Sequence, residues 1–190
     1  MDRLRLPSVI ENSRRVLVAG AGGGFDLYAG LPIYERLRLL GKQVFLANLS
    51  FVSLPITGAR RLTTALYAVD PTASGHDIYF PERVLAQFLS RRGESITIYA
   101  FEKLGVAPVR EGYLHLLELL RLDAIVLVDG GTDILLRGDE AGLGTPAEDM
   151  SSLASVAALP VRRGSWHVSV SVSTPTMASA TRIGWRTWLA

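Results

Sequence analysis

A short apolar run at residues 15–19, Arg-Val-Leu-Val-Ala, stops at Gly20-Ala21-Gly22-Gly23-Gly24, and helical periodicity follows at residues 31–40 with Leu37 and Leu40 on one side. That arrangement suits a strand that ends, turns tightly and feeds a helix. Gly41 comes next, a residue suited to the position just past a helix C-terminus, and a second β-like run occupies residues 43–49. Together these segments predict a βαβ unit. Further on, residues 62–69 read equally as helix or strand, residues 81–89 as a helix with Pro81 at its first position, and residues 95–100 as an alternating strand. Residues 110–122 form an amphipathic helical pattern and residues 124–128 a fully apolar strand. Thr145-Pro146-Ala147-Glu148 fits a capping box that opens a helix running to about residue 159. Parallel neighbours need crossover connections of a dozen or more residues, and apolar strands alternating with helices at this spacing supply them. The expected fold is therefore α/β: three-layer and Rossmann-like, with a mostly parallel sheet.

Composition narrows the class. A chain of 190 residues, 48% hydrophobic and 20% charged, suits one globular domain and excludes collagen-like, coiled-coil and disordered classes. No apolar run approaches the roughly 20 residues of a membrane span, and the first residues lack the apolar stretch of a secretory signal, so a soluble, cytoplasmic protein is expected. The absence of cysteine excludes disulfides, thiolate metal sites and a Cys nucleophile. The net charge of +2 is misleading, because residues 160–190 hold four arginines and no acid, whereas residues 1–159 carry 16 basic against 18 acidic residues. Without a basic stripe interleaved with aromatics before the tail, nucleic acid is not an expected partner, and neither is a membrane. Esterase elbow, Walker A and H-E-x-x-H motifs are all missing.

The glycine loop, Gly20, Gly22, Gly23 and Gly24, lies where backbone N–H groups and a helix N-terminus can cradle an anion, and a phosphate is the natural guest. Two features disfavour ordinary NAD binding. Phe25 stands where the dinucleotide fingerprint requires a third glycine, and the second strand carries Asn48 rather than a ribose-holding acid. Asp26, in the first helical turn, repels phosphate unless a metal or basic group intervenes. A second constellation, Asp129-Gly130-Gly131-Thr132-Asp133, follows the apolar strand and can face the same crevice. There Asp129 and Asp133 suit Mg²⁺ or a sugar, and Thr132 a phosphate. The acid pair Asp139-Glu140 on a glycine-rich loop suits metal coordination or a mobile lid, and a solvated surface loop is the favoured reading. His76 is loop-borne and can serve as acid or base, whereas His115 falls within a helix pattern.

Gly20 to Asp26, Tyr79-Phe80-Pro81-Glu82, and above all residues 123–150 resemble the archaeal and bacterial family catalogued as domain of unknown function 1152. The resemblance spans about residues 14–159. It implies an α/β fold and no particular reaction, and it implies a longer chain, continuing with a strand and a Gly-Val-Asp-x-Tyr-His-Gly-Val-x-His stretch before Leu-Glu-Asn. Residues 160–190 depart from that pattern. Joining the third base of each tail codon to the first two of the next forces Met177-Ala178 to read Gly and permits the expected stretch in order. A frameshift near residues 160–170 is the sharper reading of this tail, and residues 1–159 are then the N-terminal part of a larger domain. An edge strand at residues 168–172 is the plainer reading. Three functions stand side by side: binding of a nucleotide or phosphorylated metabolite, as an enzyme or otherwise; a non-catalytic ligand-sensing or homo-oligomeric scaffold; or an inactive truncated product.

Overall fold

The computed structural model describes residue 10, residues 12–75, 79–131 and 146–159, and strands at 168–172 and 182–183. Among the described residues eight strands form one sheet: β1 (Arg15–Gly20), β2 (Gln43–Leu49), β3 (Arg60–Arg61), β4 (Leu66–Val69), β5 (Ile98–Phe101), β6 (Ala124–Asp129), β7 (Val168–Val172) and β8 (Arg182–Ile183). Their order across the sheet is β3-β4-β5-β2-β1-β6-β7-β8. The five central strands, β5, β2, β1, β6 and β7, are mutually parallel, and β4 and β8 run antiparallel to their inner neighbours. The expected mostly parallel α/β sheet is what forms.

Helices cover both faces because the strands alternate their apolar side chains between two clusters. Val16, Val18, Val126 and Val128 pack with Leu27 of α1 (Asp26–Ala29), Leu37 of α2 (Leu31–Leu39) and Leu85 of α3 (Pro81–Arg91). Leu17, Ala19, Ile125 and Leu127 point the other way, toward Tyr113 and Leu116 of α4 (Val106–Leu120) and Val156 of α5 (Pro146–Ala157). Burial of each such leucine is worth about 1.5–3 kcal/mol, a sizeable part of a net stability of roughly 5–15 kcal/mol. Among the described residues no helix is long and apolar enough to cross a membrane.

Local chemistry sets the element ends. Gly41 closes α2 with φ of +75°; its N–H donates to the Arg38 carbonyl at 2.8 Å, and the Lys42 N–H donates to the Leu37 carbonyl at 3.2 Å. This is a Schellman ending, as the position of Gly41 predicts. Helix α4 starts at Val106, four residues before the expected boundary at 110, because Pro108 falls in the first turn, where its missing N–H has no helical partner to lose. Strand β5 occupies 98–101 rather than 95–100. The ambiguous stretch 62–69 is neither all helix nor all strand. The N–H groups of Leu62 and Thr63 both reach the Leu66 carbonyl, at 2.7 and 3.2 Å, turning the chain so that β3 and β4 pair antiparallel. Residues 168–172 do form a strand, but β8 lies outside it, so it is not the sheet edge.

Candidate functional site

From β1 the chain steps outward to β2, whereas α4 returns it across the sheet to β6 on the other side of β1. The carboxyl ends of β1 and β6 are thus a point where the winding reverses, and in open α/β sheets ligands bind outside the strand ends at such points. The glycine loop leaves β1 there, pinned on both sides. The Ala21 N–H donates to the Val128 carbonyl at 2.8 Å, and the Ser152 hydroxyl of α5 donates to the Ala21 carbonyl at 2.7 Å. Gly23 and Gly24 then take φ values of +94° and +58°, in the left-handed region that glycine tolerates.

Asp26, the first residue of α1, ties the two strand ends together. Its Oδ2 accepts the Gly22 N–H at 2.7 Å and its Oδ1 accepts the Gly130 N–H at 3.0 Å. Asp129, the buried last residue of β6, accepts the Gly131 N–H at 2.6 Å. The third carboxylate is Asp149, buried in the first turn of α5 and lying against Gly22. One oxygen from each of Asp26, Asp129 and Asp149 falls within 4.8 Å of the others. At an effective dielectric near 20, unit charges at 4.8 Å repel by roughly 3–4 kcal/mol per pair. A hard divalent cation converts that repulsion into attraction, and oxygen ligands from carboxylates are the set such cations take.

Asn48, at the end of β2, is fully buried. Its Nδ2 donates to the Gly24 carbonyl at 3.1 Å and to Glu82 Oε1 at 2.8 Å. Glu82 comes from the first turn of α3 and is equally buried, and its Oε2 makes no hydrogen bond. Burial pushes its carboxyl above the usual range, against smaller opposing help from Asn48, its own backbone and Ser50. A carboxyl group therefore does stand at the end of β2, delivered from a helix some thirty residues downstream rather than from the strand itself. Burial first, and the Glu82 charge second, raise the phenols of Tyr28 and Tyr79 nearby.

On the far side of the first turn of α5, Leu49, Lys103, Val109, Glu148 and Ser151 line a cavity of about 160 Å³. Lys103 Nζ lies 3.3 Å from Glu148 Oε1 and 4.5 Å from the centre of the Phe51 ring.

Among the expected site residues, Gly20, Gly22, Gly23, Gly24, Asp26, Asn48, Asp129, Gly130 and Gly131 meet around this loop. Thr132, Asp133, Asp139, Glu140 and His76 lie outside the described residues. His115 sits partly buried in α4, among helix contacts. Reading the sequence for sites passes over Asp149 and Glu82. For Asp149 a signal was available: Asp149, Ser152, Val156 and Leu159 share the spacing of one buried helix face, and a carboxylate on such a face calls for a partner.

A family model described as "Protein of unknown function (DUF1152)" matches residues 53–175. The chain belongs to this family. The DUF1152 match includes Glu82, Asp129 and Asp149, begins after the glycine loop, and runs past residue 159, where the resemblance was expected to stop. No curated protein and no solved structure matches the chain.

Proposed function

We propose that this DUF1152 chain binds a phosphorylated small molecule, a nucleotide or a phosphorylated metabolite, through a divalent cation of the Mg²⁺ class at the β1/β6 crevice. The single observation behind this reading is the convergence of Asp26, Asp129 and Asp149, from three separate segments, within 4.8 Å of one another. Phosphate placed directly on the glycine loop would meet these carboxylates, and the Gly22 N–H it would need is taken by Asp26. A cation between acid and phosphate resolves both objections, since Mg²⁺ is commonly held by one or two carboxylates together with substrate phosphates. The protein's own part is then to hold and orient: Asp26 fixes both strand ends, and Ser152 anchors the loop. A small-molecule role in the cytoplasm, rather than nucleic-acid or membrane binding, goes with this reading, as does the capacity for phosphoryl chemistry when a nucleophile is supplied.

The test is a thermal melt of the full chain with Mg²⁺ or Mn²⁺, with and without a panel of nucleotides and sugar phosphates. A ligand at 100 times its Kd adds about 2.7 kcal/mol, or roughly 5–11 °C for a chain of this size. A melting temperature that moves with neither metal nor metal plus ligand removes the proposal. It would leave the second reading, favoured by the two hydrogen bonds Asp26 accepts: a purely structural latch between strand ends.

A further inference from the structure

The cavity beside the first turn of α5 uses none of the three crevice carboxylates and joins apolar walls to an ion pair. Leu49 and the buried Val109 form its apolar side, and Lys103, Glu148 and Ser151 its polar side. Its volume of about 160 Å³ suits a molecule of roughly six to eight heavy atoms, since a cavity of about 150 Å³ holds benzene. Glu148 gives only one oxygen to Lys103: Oε1 lies 3.3 Å from Nζ, whereas Oε2 is shielded from solvent and accepts no hydrogen bond. A buried carboxylate oxygen without a donor costs free energy until something supplies one. Lys103, half-exposed, also has capacity left, because an ammonium has more donors than its contact with Glu148 uses. The start of α4 borders the same space: a Cβ on Gly105 would meet nothing within 4 Å, and no side chain caps the helix. The cavity thus lacks a donor for Glu148 and an acceptor for Lys103, side by side, on a small molecule with an apolar part.

We propose that this cavity binds a small zwitterion of the α-amino acid class, its ammonium on Glu148, its carboxylate on Lys103 and a short aliphatic side chain against Leu49 and Val109. An α-amino acid carries both charges on groups attached to one carbon, close enough to lie across the 3.3 Å Lys103–Glu148 pair. The two ion pairs then lie head to tail, and each charge gains an opposite neighbour. A lone anion on Lys103 would be repelled by Glu148, and a lone cation on Glu148 by Lys103. The site goes beyond the cation reading above and does not depend on it.

The experiment is calorimetric titration of the full chain, in EDTA at pH 7, with L-valine, with isovalerate, which lacks the ammonium, and with isobutylamine, which lacks the carboxylate. The native protein is expected to bind valine roughly 10- to 100-fold more tightly than either analogue, the effect of one charge-assisted hydrogen bond. Glu148→Gln should bring valine down to the level of isovalerate, and Lys103→Met should bring it down to the level of isobutylamine. Ser151→Leu, which fills the cavity, should abolish binding of all three. Melting curves without ligand identify any variant that fails to fold, and the ranking of the three probes on the native protein stands without the variants. No heat from valine on the native protein, valine no tighter than its analogues, or a preference that survives both charge losses overturns the proposal. Because EDTA removes divalent cations, each of these outcomes leaves the Mg²⁺ reading standing.

Discussion

The carboxylate of Asp149 occupies the space a side chain on Gly22 would need: a Cβ there would lie 2.6 Å from Oδ1 and 2.7 Å from Oδ2. Helix α5 can bring its acid to the strand ends only because the loop has nothing at that position but a hydrogen. Gly22→Ala is expected to push Asp149 away, lowering stability by about 1–3 kcal/mol, as overpacking does, and weakening Mn²⁺ binding. Melting curves with and without Mn²⁺ check both parts; an unchanged metal-induced shift would refute the second.

Asp149→Asn separates charge from shape. Without cation, removing one of three crowded negative charges should raise stability by about 1–3 kcal/mol; with cation, the gain on adding Mg²⁺ should shrink sharply. If the three carboxylates serve only to satisfy loop N–H groups, the variant loses stability in both conditions. Paired melts in EDTA and in Mg²⁺ distinguish these outcomes.

Glu82 carries the pH dependence. Its folded-state carboxyl titrates above the unfolded value of 4.5, so the protonated form is the one the fold prefers. Stability from this group is present below pH 4.5 and is lost as pH rises through the raised folded value. Glu82→Gln keeps an acceptor for Asn48 and cannot ionise. It should flatten that fall and match or exceed the native protein's stability at pH 7, whereas Glu82→Ala should cost about 1–3 kcal/mol by stranding the Asn48 amide. Chemical denaturation at pH 4, 5.5 and 7 reads both.

The strand, glycine turn and helix at the start were legible because each is written locally: an apolar run, residues that tolerate left-handed backbone, and Gly41 at the helix exit. Asp26 and Asp129 were legible for the same reason, one at the helix start after the glycine turn and the other at a strand end. Asp149 was legible only as an acid on a buried helix face; that it reaches the β1 and β6 ends depends on where α5 packs after a long connection, and helix-entry acids are common for dipole reasons alone. Glu82 hid in the same way, as an acid beside Pro81 at a helix start. The reversal of β4 was illegible because its turn, over Thr63 and Thr64, lacks the glycine or proline that announces one. Asn48 looked like the absence of a ribose acid, and only the packing of α3 shows a carboxyl reaching that strand end from elsewhere.

Ser152→Ala removes one hydrogen bond, from the hydroxyl to the Ala21 carbonyl, at a buried position. The expected cost is about 1 kcal/mol, or 2–4 °C in melting temperature, with a larger relative loss of metal affinity because the loop is no longer anchored. Equal loss of stability with and without Mg²⁺ would restrict Ser152 to a packing role.

The frameshift reading of the tail makes a prediction at the level of the gene. Sequencing the coding DNA across codons 150–190 and beyond should reveal an open frame, shifted by one base, that reads through Gly-Val-Asp-x-Tyr-His-Gly-Val-x-His. Confirmation of the printed frame, with early closure of the shifted one, would make the strand at 168–172 native sequence.

Among the described residues, the sheet finishes on each side in a strand of two residues, Arg60–Arg61 at one margin and Arg182–Ile183 at the other. Unpaired N–H and C=O groups along an outermost strand are templates for another chain, and short strands bearing charge are a common defence against such recruitment. Among the described residues the β3 margin offers only two residues of free ladder, and both are exposed arginines. A second copy meeting the β3 margin edge to edge would find little backbone to zip together and two positive charges, which disfavours strand recruitment there.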